Sequence, residues 1–368
     1  MPLSRRTLVL LAASSVIGAG PAACTHDDPA EPGAAVVDTI PDVGPPERLT
    51  LNRGKDFAAT FAPDGGSIWY AWERFDSDRR DLCLGRLPVG GGSRSAEYCD
   101  ATPVPGDSVD WLTYPTPHPD GRRIVWQHLR ANPDDNVDGN GGIYLAGLDH
   151  LGDPSRARLL SRLPYQFAPN DERHFFNQVF SFAWINDSVL VCVGAQVNAF
   201  APSQSPVDTF YTGRELATLT LTGDTTLTGF IPGTEEASGF SLAPGGLIYF
   251  TRNGDARVYR TTLAGGSVDT VYDFGAAGFA RDPVYLDGGV YAIVGGDVSY
   301  ELYANFEIKL QHDGGGDLWR ADSSGVHLVN NVYRWRRPAR SPDGRTLVIE
   351  GIEPTTLKTD LYLLRIAP

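Results

Sequence analysis

Positive charge is scarce in this sequence. Against 45 acidic residues stand 31 basic ones, and the formal net charge is -14. Such a chain has no surplus of cations with which to displace counterions from a phosphate backbone, so nucleic acid is not an expected partner. Only three of the bases are lysine (Lys55, Lys309 and Lys358), which reads as codon usage and not as chemistry. Cysteine is nearly absent, four in 368 residues, and no two stand at zinc-ligand spacing. There is no Gly-x-Ser-x-Gly nucleophile segment, no phosphate loop and no dinucleotide fingerprint. Hydrophobic residues make up 42% of the chain, too many for a disordered protein, and the 41 glycines show no collagen period. A chain of this size can bury a core without staples.

The N-terminus reads as an address. Two arginines, Arg5 and Arg6, precede an uncharged stretch from Leu8 to Ala23 that is too short and too rich in small residues to span a bilayer. Residues 1–24 therefore read as a signal peptide. Ser4-Arg5-Arg6-Thr7-Leu8 is similar to a twin-arginine export signal. Pro21-Ala22-Ala23-Cys24 resembles a bacterial lipoprotein processing site, which would make Cys24 the lipidated terminus; Pro21 departs from that pattern. Ordinary cleavage with Cys24 incidental is the plainer alternative. Residues 25–46 carry five prolines and five acids, a composition expected to form a disordered spacer. The expected location is periplasmic or cell-surface, with a lipid as the only membrane contact and the protein a monomer. Cys83 and Cys99 fall in neighbouring expected strands; they are either a disulfide, which export would permit, or two buried thiols.

From residue 47 the chain repeats. Pro-Asp-Gly followed by a short apolar run occurs at Asp64, Asp120 and Asp343, with degenerate copies near Asp187, Gly245 and Asp287. Proline presets φ at the first central position, aspartate accepts a backbone hydrogen bond, and glycine takes the φ > 0 position that closes a hairpin. Each run is followed by a segment such as Asp81-Leu82-Cys83-Leu84 or Asp360-Leu361-Tyr362-Leu363, and then by a fourth short strand. Six units of four antiparallel strands predict an all-β fold, a six-bladed β-propeller over residues 47–368. The last unit lacks its fourth strand. Pairing of Glu47-Arg48-Leu49-Thr50-Leu51 with that unit would supply it and close the ring.

The Ser/Ala-Pro-Asp-Gly turn, the apolar strand after it, the Asp-Leu-Tyr-Leu strand and the Arg-Leu-Thr ending resemble the repeats of TolB-type propellers. The resemblance spans residues 47–368, strongest in units one, two and six. It implies an exported propeller that serves as a protein-binding platform. The α/β domain that precedes the propeller in the bacterial TolB protein is missing, so that protein's partners are not carried over. The lack of a hydrolase segment after the propeller also departs from prolyl-oligopeptidase-type enzymes.

Candidate sites fall on loops. Residues 129–142, 194–214 and 294–316 all join second to third strands, and long loops on one face of a rigid scaffold commonly carry binding. Neutral surface elaboration is the bland alternative. Asp134, Asn136 and Asp138 match the first half of a calcium loop; an Asp/Asn/Gly-rich hairpin accounts for them as well. Calcium is the cofactor such a loop would imply. His128, His174 and His312 would face the same side and could share a transition metal, or be scattered surface residues. Trp111, Arg173, His174, Arg281, Arg334 and Trp335 lie in the links between units, where they would contact a peptide or glycan. The alternative has both tryptophans wedged between blades. The favoured function is non-enzymatic binding of an envelope protein, peptide or glycan through the loop face. A metal-dependent lyase or hydrolase acting at the channel mouth is the alternative.

Overall fold

The computed structural model describes residues 43–51, 54–76, 79–94, 96–99, 111–129, 142–151, 156–162, 175–197, 211–286, 288–295, 315–352 and 358–366. The Pro-Asp-Gly turns form as their chemistry dictates. Gly65, Gly121 and Gly344 sit at φ of 69°, 67° and 70°. Each accepts its position through a hydrogen bond from its own N–H to the carbonyl three residues back, on Ala62, His118 and Ser341. The aspartates complete the turns: Asp64, Asp120 and Asp343 accept the N–H groups of Gly66, Arg122 and Arg345. In the degenerate third copy Asn186 does the same for Ser188 and Val189.

Within each meander the strands pair antiparallel with their sequence neighbours. The chain starts with β1 (Glu47–Arg48), followed by β2 (Asp56–Phe61), β3 (Ser67–Asp76), β4 (Arg79–Pro88) and β5 (Ala96–Tyr98). A second meander comprises β6 (Trp111–Pro117), β7 (Arg123–Leu129), β8 (Gly142–Gly147) and β9 (Arg158–Arg162). The third comprises β10 (Phe175–Trp184), β11 (Val189–Val197), β12 (Tyr211–Thr222) and β13 (Thr225–Phe230). The fourth comprises β14 (Ala237–Ala243), β15 (Leu247–Arg252), β16 (Arg257–Thr262) and β17 (Asp269–Asp273). The chain ends with β18 (Ala280–Leu286), β19 (Gly289–Val294), β20 (Gly316–Asp322), β21 (Gly325–Arg340), β22 (Thr346–Ile352) and β23 (Thr359–Arg365).

This is an all-β propeller, but the expectation of six separate four-stranded blades is corrected. Hydrogen bonding joins the described strands into four sheets, of eight, four, four and seven strands. Two junctions account for the difference. A parallel bridge between Leu82 and Trp111 ties β4 to β6. At the other end β21 is one continuous strand, pairing β20 through Val326–Asn330 and β22 through Arg334–Arg340.

The first and last described strands meet. In β1, Glu47 lies opposite Leu363 and Arg48 opposite Tyr362 of β23. The Leu49 N–H donates to Leu361 O at 2.8 Å, and the Leu361 N–H donates to Thr50 Oγ1 at 2.9 Å. The Arg48 guanidinium pairs with the buried Asp360 carboxylate. The ladder is shorter than the expected 47–51, covering Glu47 and Arg48, and an isolated bridge joins Val43 to Ile366.

Apolar clusters lie between consecutive meanders, so that both faces of each are covered. Val125, Ile143 and Leu145 pack on Phe182, Leu190 and Cys192. Ile68, Tyr70 and Leu87 pack on Val348, Leu361 and Leu363, which joins the first meander to the last. Removal of each such Leu, Ile or Val side chain from water is worth roughly 1.5–3 kcal/mol. Cys83 and Cys99 are joined by a disulfide that fixes β5 to β4, with Cα atoms 4.5 Å apart. Cys192 is a buried thiol whose pKa burial pushes up to about 12, so it is inert.

Candidate binding cavity

Six inner strands, β2, β6, β10, β14, β18 and β21, surround a cavity of about 410 Å³. Every one of them is bulged at the same level. The ladder skips between Phe57 and Thr60, Thr113 and Thr116, Val179 and Phe182, Ala237 and Gly239, Arg281 and Val284, and Arg336 and Ala339. A bulge frees residues from the ladder and re-aims them. The freed residues Ala58, Tyr114, Ser181, Ser238, Asp282 and Arg337 all line the cavity. Four of them, Ala58, Tyr114, Asp282 and Arg337, hold φ between 41° and 54° without being glycine. Each such conformation costs about 1–3 kcal/mol and persists only where the surroundings enforce it. Prolines follow three of these residues (Pro115, Pro283 and Pro338), as suits a strand whose inner edge has no ladder partner. Gly239 sits at a close approach, since a Cβ there would lie 3.0 Å from Asp282 Cα and crowd it.

The polar groups are interlocked. Glu350, fully buried on β22, accepts the Ala58 N–H at 2.6 Å and pairs with Arg336 at 3.2 Å and Arg337 at 3.1 Å. Asp282 accepts the Arg337 N–H at 3.2 Å. The Arg337 guanidinium lies over the Tyr114 ring, 5.8 Å from its centroid. Burial raises the Tyr114 phenol above its ordinary pKa; Glu350 and Asp282 add to this, while Arg337 and Arg336 oppose it. Two more arginines on the wall are aimed by backbone carbonyls: Arg281 donates to Gly295 O at 3.3 Å and Arg340 to Tyr285 O at 3.2 Å. Arg214 of β12 also reaches the cavity, and Phe182, Trp184 and Phe240 supply apolar surface.

Of the residues singled out in the sequence, Arg281 lines this cavity. Trp335 does not: it is fully buried in the apolar cluster of β18–β23 and donates its indole N–H to Asn330. Its expected role in ligand contact is therefore corrected; a side chain with no exposure has no surface for a ligand. Arg334 is exposed and paired with Asp317 at 3.4 Å. His128 is buried on β7, with Tyr144 beside it. Arg173, His174, His312, Asp134, Asn136 and Asp138 lie outside the described residues, as does the Trp111 side chain, with residues 130–141, 198–210 and 296–314 of the three long loops. The ends of those loops do leave from the second and third strands, at Leu129 and Gly142, Val197 and Tyr211, and Val294 and Gly316. Among the described residues no group of three or more His, Cys, Asp or Glu side chains is placed to hold a metal ion. Tyr114, Arg337 and Glu350 were not singled out as a site by sequence. The signal was there: an X-Pro pair four residues before the turn, repeated in units two, five and six.

No family model matches the chain, and no curated protein does. Solved structures similar to it are β-propellers at low identity. XC5397 from Xanthomonas campestris, described as a gluconolactonase, is 14% identical over 92% of this chain and 99% of its own, with a TM-score of 0.49. The β-propeller domain of the Trilobed protease from Pyrococcus furiosus is 12% identical over 84% and 95%, with a TM-score of 0.48. TolB from Acinetobacter baumannii is 12% identical over 85% of this chain and 64% of its own, with a TM-score of 0.45. The expected membership of the TolB-type family is thereby corrected. The likeness is distant, at 12% identity, and no family model supports it. The similar structures also include one described as an oligogalacturonate lyase and one described as WD40 repeats.

Proposed function

We propose that this protein is a non-enzymatic binding propeller of the bacterial cell envelope, with a protein, peptide or glycan as its ligand, part of which enters the central cavity. The observation that carries this reading is the make-up of the cavity. Its described lining holds one carboxylate, Asp282, which accepts the Arg337 N–H, while the neighbouring Glu350 is held by two arginines and a backbone N–H. A general base needs a carboxylate or imidazole within reach of a substrate proton. Among the described residues no histidine or cysteine lines the cavity. What remains is a preformed pocket with aromatic walls and a few fixed polar groups, the usual make-up of a ligand site. The loops 129–142, 194–214 and 294–316 are proposed as the surface that recognises the rest of the ligand.

Export and tethering through a lipid on Cys24 belong to the same proposal. The Cys83–Cys99 disulfide supports it, since such bonds persist in oxidising compartments. A Cys24→Ser variant should leave the membrane fraction. The test of function is an array of envelope peptides and glycans probed with the full-length protein and with Ala183→Trp, which fills the cavity. Binding should be lost in the variant, and mass spectrometry should recover the ligand unchanged. Binding insensitive to Ala183→Trp, or conversion of the ligand, overturns the reading.

A further inference from the structure

We infer that the cavity takes an uncharged pyranose sugar, read by the hydroxyls of Thr60, Tyr114 and Ser181; this rests on the reading of the cavity as the ligand site. Six side-chain hydroxyls line the described wall. Three of them serve the fold. Thr116 Oγ1 donates to Tyr114 O at 3.2 Å, Ser238 Oγ and Thr251 Oγ1 share a hydrogen bond of 2.9 Å, and Ser241 Oγ accepts the Tyr285 N–H at 3.0 Å. The hydroxyls of Thr60, Tyr114 and Ser181 make no hydrogen bond among the described residues. They stand on the consecutive inner strands β2, β6 and β10, so they form one polar arc of the wall. Each can donate one hydrogen bond and accept others, and its proton turns to suit the partner. The backbone is strained to place the middle one, since Tyr114 holds φ at 54°. Burial keeps its phenol protonated at neutral pH, as a donor. Phe182 and Trp184 of β10 and Phe240 of β14 continue the wall from that arc with aromatic surface.

This wall separates ligand classes. An apolar body would cover three hydroxyls and leave them unsatisfied, which costs about tenfold or more in affinity for each. The ions of the wall already have partners: Arg340 donates to Tyr285 O at 3.2 Å, and Arg214, Arg281, Asp282 and Arg337 are each engaged. A charged ligand would have to compete for them while losing its own hydration. A pyranose suits both parts of the wall. Its hydroxyls exchange hydrogen bonds with the polar arc, and its C–H face lies on an aromatic ring. A volume of about 410 Å³ is within the range of small-molecule pockets.

Calorimetry on the full-length protein tests this. The probes are glucose, galactose and mannose, their methyl glycosides, and the matching uronates and amino sugars. At least one neutral pyranose should bind about tenfold or more tightly than its uronate and its amino sugar, with an affinity that salt leaves unchanged. Preference for the methyl glycoside marks the end of a glycan chain as the source, preference for the free hexose marks a free sugar, and either agrees with the inference. Tyr114→Phe keeps the ring beneath Arg337 and removes one oxygen. It should weaken binding of that sugar about tenfold and leave the urea midpoint unchanged, since the hydroxyl holds nothing in the fold. Ser181→Ala should weaken binding several-fold, again with no change in midpoint. A lowered midpoint in Tyr114→Phe assigns its hydroxyl to the fold and overturns the inference. Unchanged affinity in that variant, or tighter binding of the charged sugars, overturns it too. So does the absence of pyranose binding where array ligands remain sensitive to Ala183→Trp; the cavity reading survives that result. Pyranose binding that Ala183→Trp leaves intact fails the cavity reading, and this inference with it.

Discussion

Removal of the Glu350 carboxylate should cost more stability than any other single change at the cavity. Glu350 on β22 is fully buried and joins three groups: the Ala58 N–H of β2, Arg336 and Arg337. In Glu350→Ala the Arg336 side chain, only 9% exposed, loses its pair with that carboxylate. Breaking a buried pair from one side costs about 3–5 kcal/mol. The Ala58 N–H also loses its acceptor, a penalty of about 1–3 kcal/mol for a buried donor. The two overlap, since relaxation that helps one helps the other, and about 4 kcal/mol is the expected total. Glu350→Gln keeps an acceptor for Ala58 and gives up only the charge, so it should lose about half as much. The assay is urea unfolding followed by tryptophan fluorescence, with the slope m unchanged across the three proteins. A loss below about 1 kcal/mol in Glu350→Ala, or equal losses for Ala and Gln, would refute the view that this carboxylate locks the first inner strand to the last.

Thr50→Val deprives the Leu361 N–H of its acceptor at the seam between the chain ends and should cost about 1–3 kcal/mol, measured by the same unfolding assay. Reduction of Cys83–Cys99, separated by 16 residues, should lower stability by about 3 kcal/mol if loop closure dominates, read as a shift in the urea midpoint with and without reductant. Partial burial works to raise the Asp120 carboxyl, but the Arg122 N–H and the Arg123 guanidinium outweigh it and bring the pKa to about 2. Its folded value lies below the unfolded one, so its stabilisation is whole above about pH 4 and is lost as pH falls toward 2; Asp120→Asn should flatten that limb of the stability profile. The Tyr362 phenol is raised to about 12 by burial and then by its hydrogen bond with Tyr333. That contribution is present below about pH 10 and is lost as pH rises toward 12, and Tyr362→Phe should remove the alkaline dependence.

The turns were legible in sequence because their rules are local. Pro63-Asp64-Gly65 needs nothing beyond itself to close, and its three copies set the repeat. The meeting of the chain ends was legible for a different reason: the unit ending at Arg365 lacked a strand, and Glu47-Arg48 was left over to supply it. How the strands group into sheets was not legible. The segment Asn330-Asn331-Val332 reads as a break, yet β21 runs through it from Gly325 to Arg340. Whether one strand ends and another begins there is decided by partners on either side, β20 and β22, which are distant choices. Trp335 misled for a related reason. Its neighbours Arg334 and Arg336 suggested an exposed link, but it points between meanders against Tyr333 and Tyr362. The cavity residues were hidden because Ala58, Tyr114, Asp282 and Arg337 share no chemistry; they share only a position in the bulge, and Pro115, Pro283 and Pro338 mark it in three of the six inner strands.

A crystal structure of the full-length protein with the tightest-binding ligand from the peptide and glycan array tests the central claim most directly. The account predicts ligand density inside the inner strands, against Tyr114 or Phe240. Density on an outer edge of the sheets, with the space between β2, β6, β18 and β21 unchanged, would contradict it.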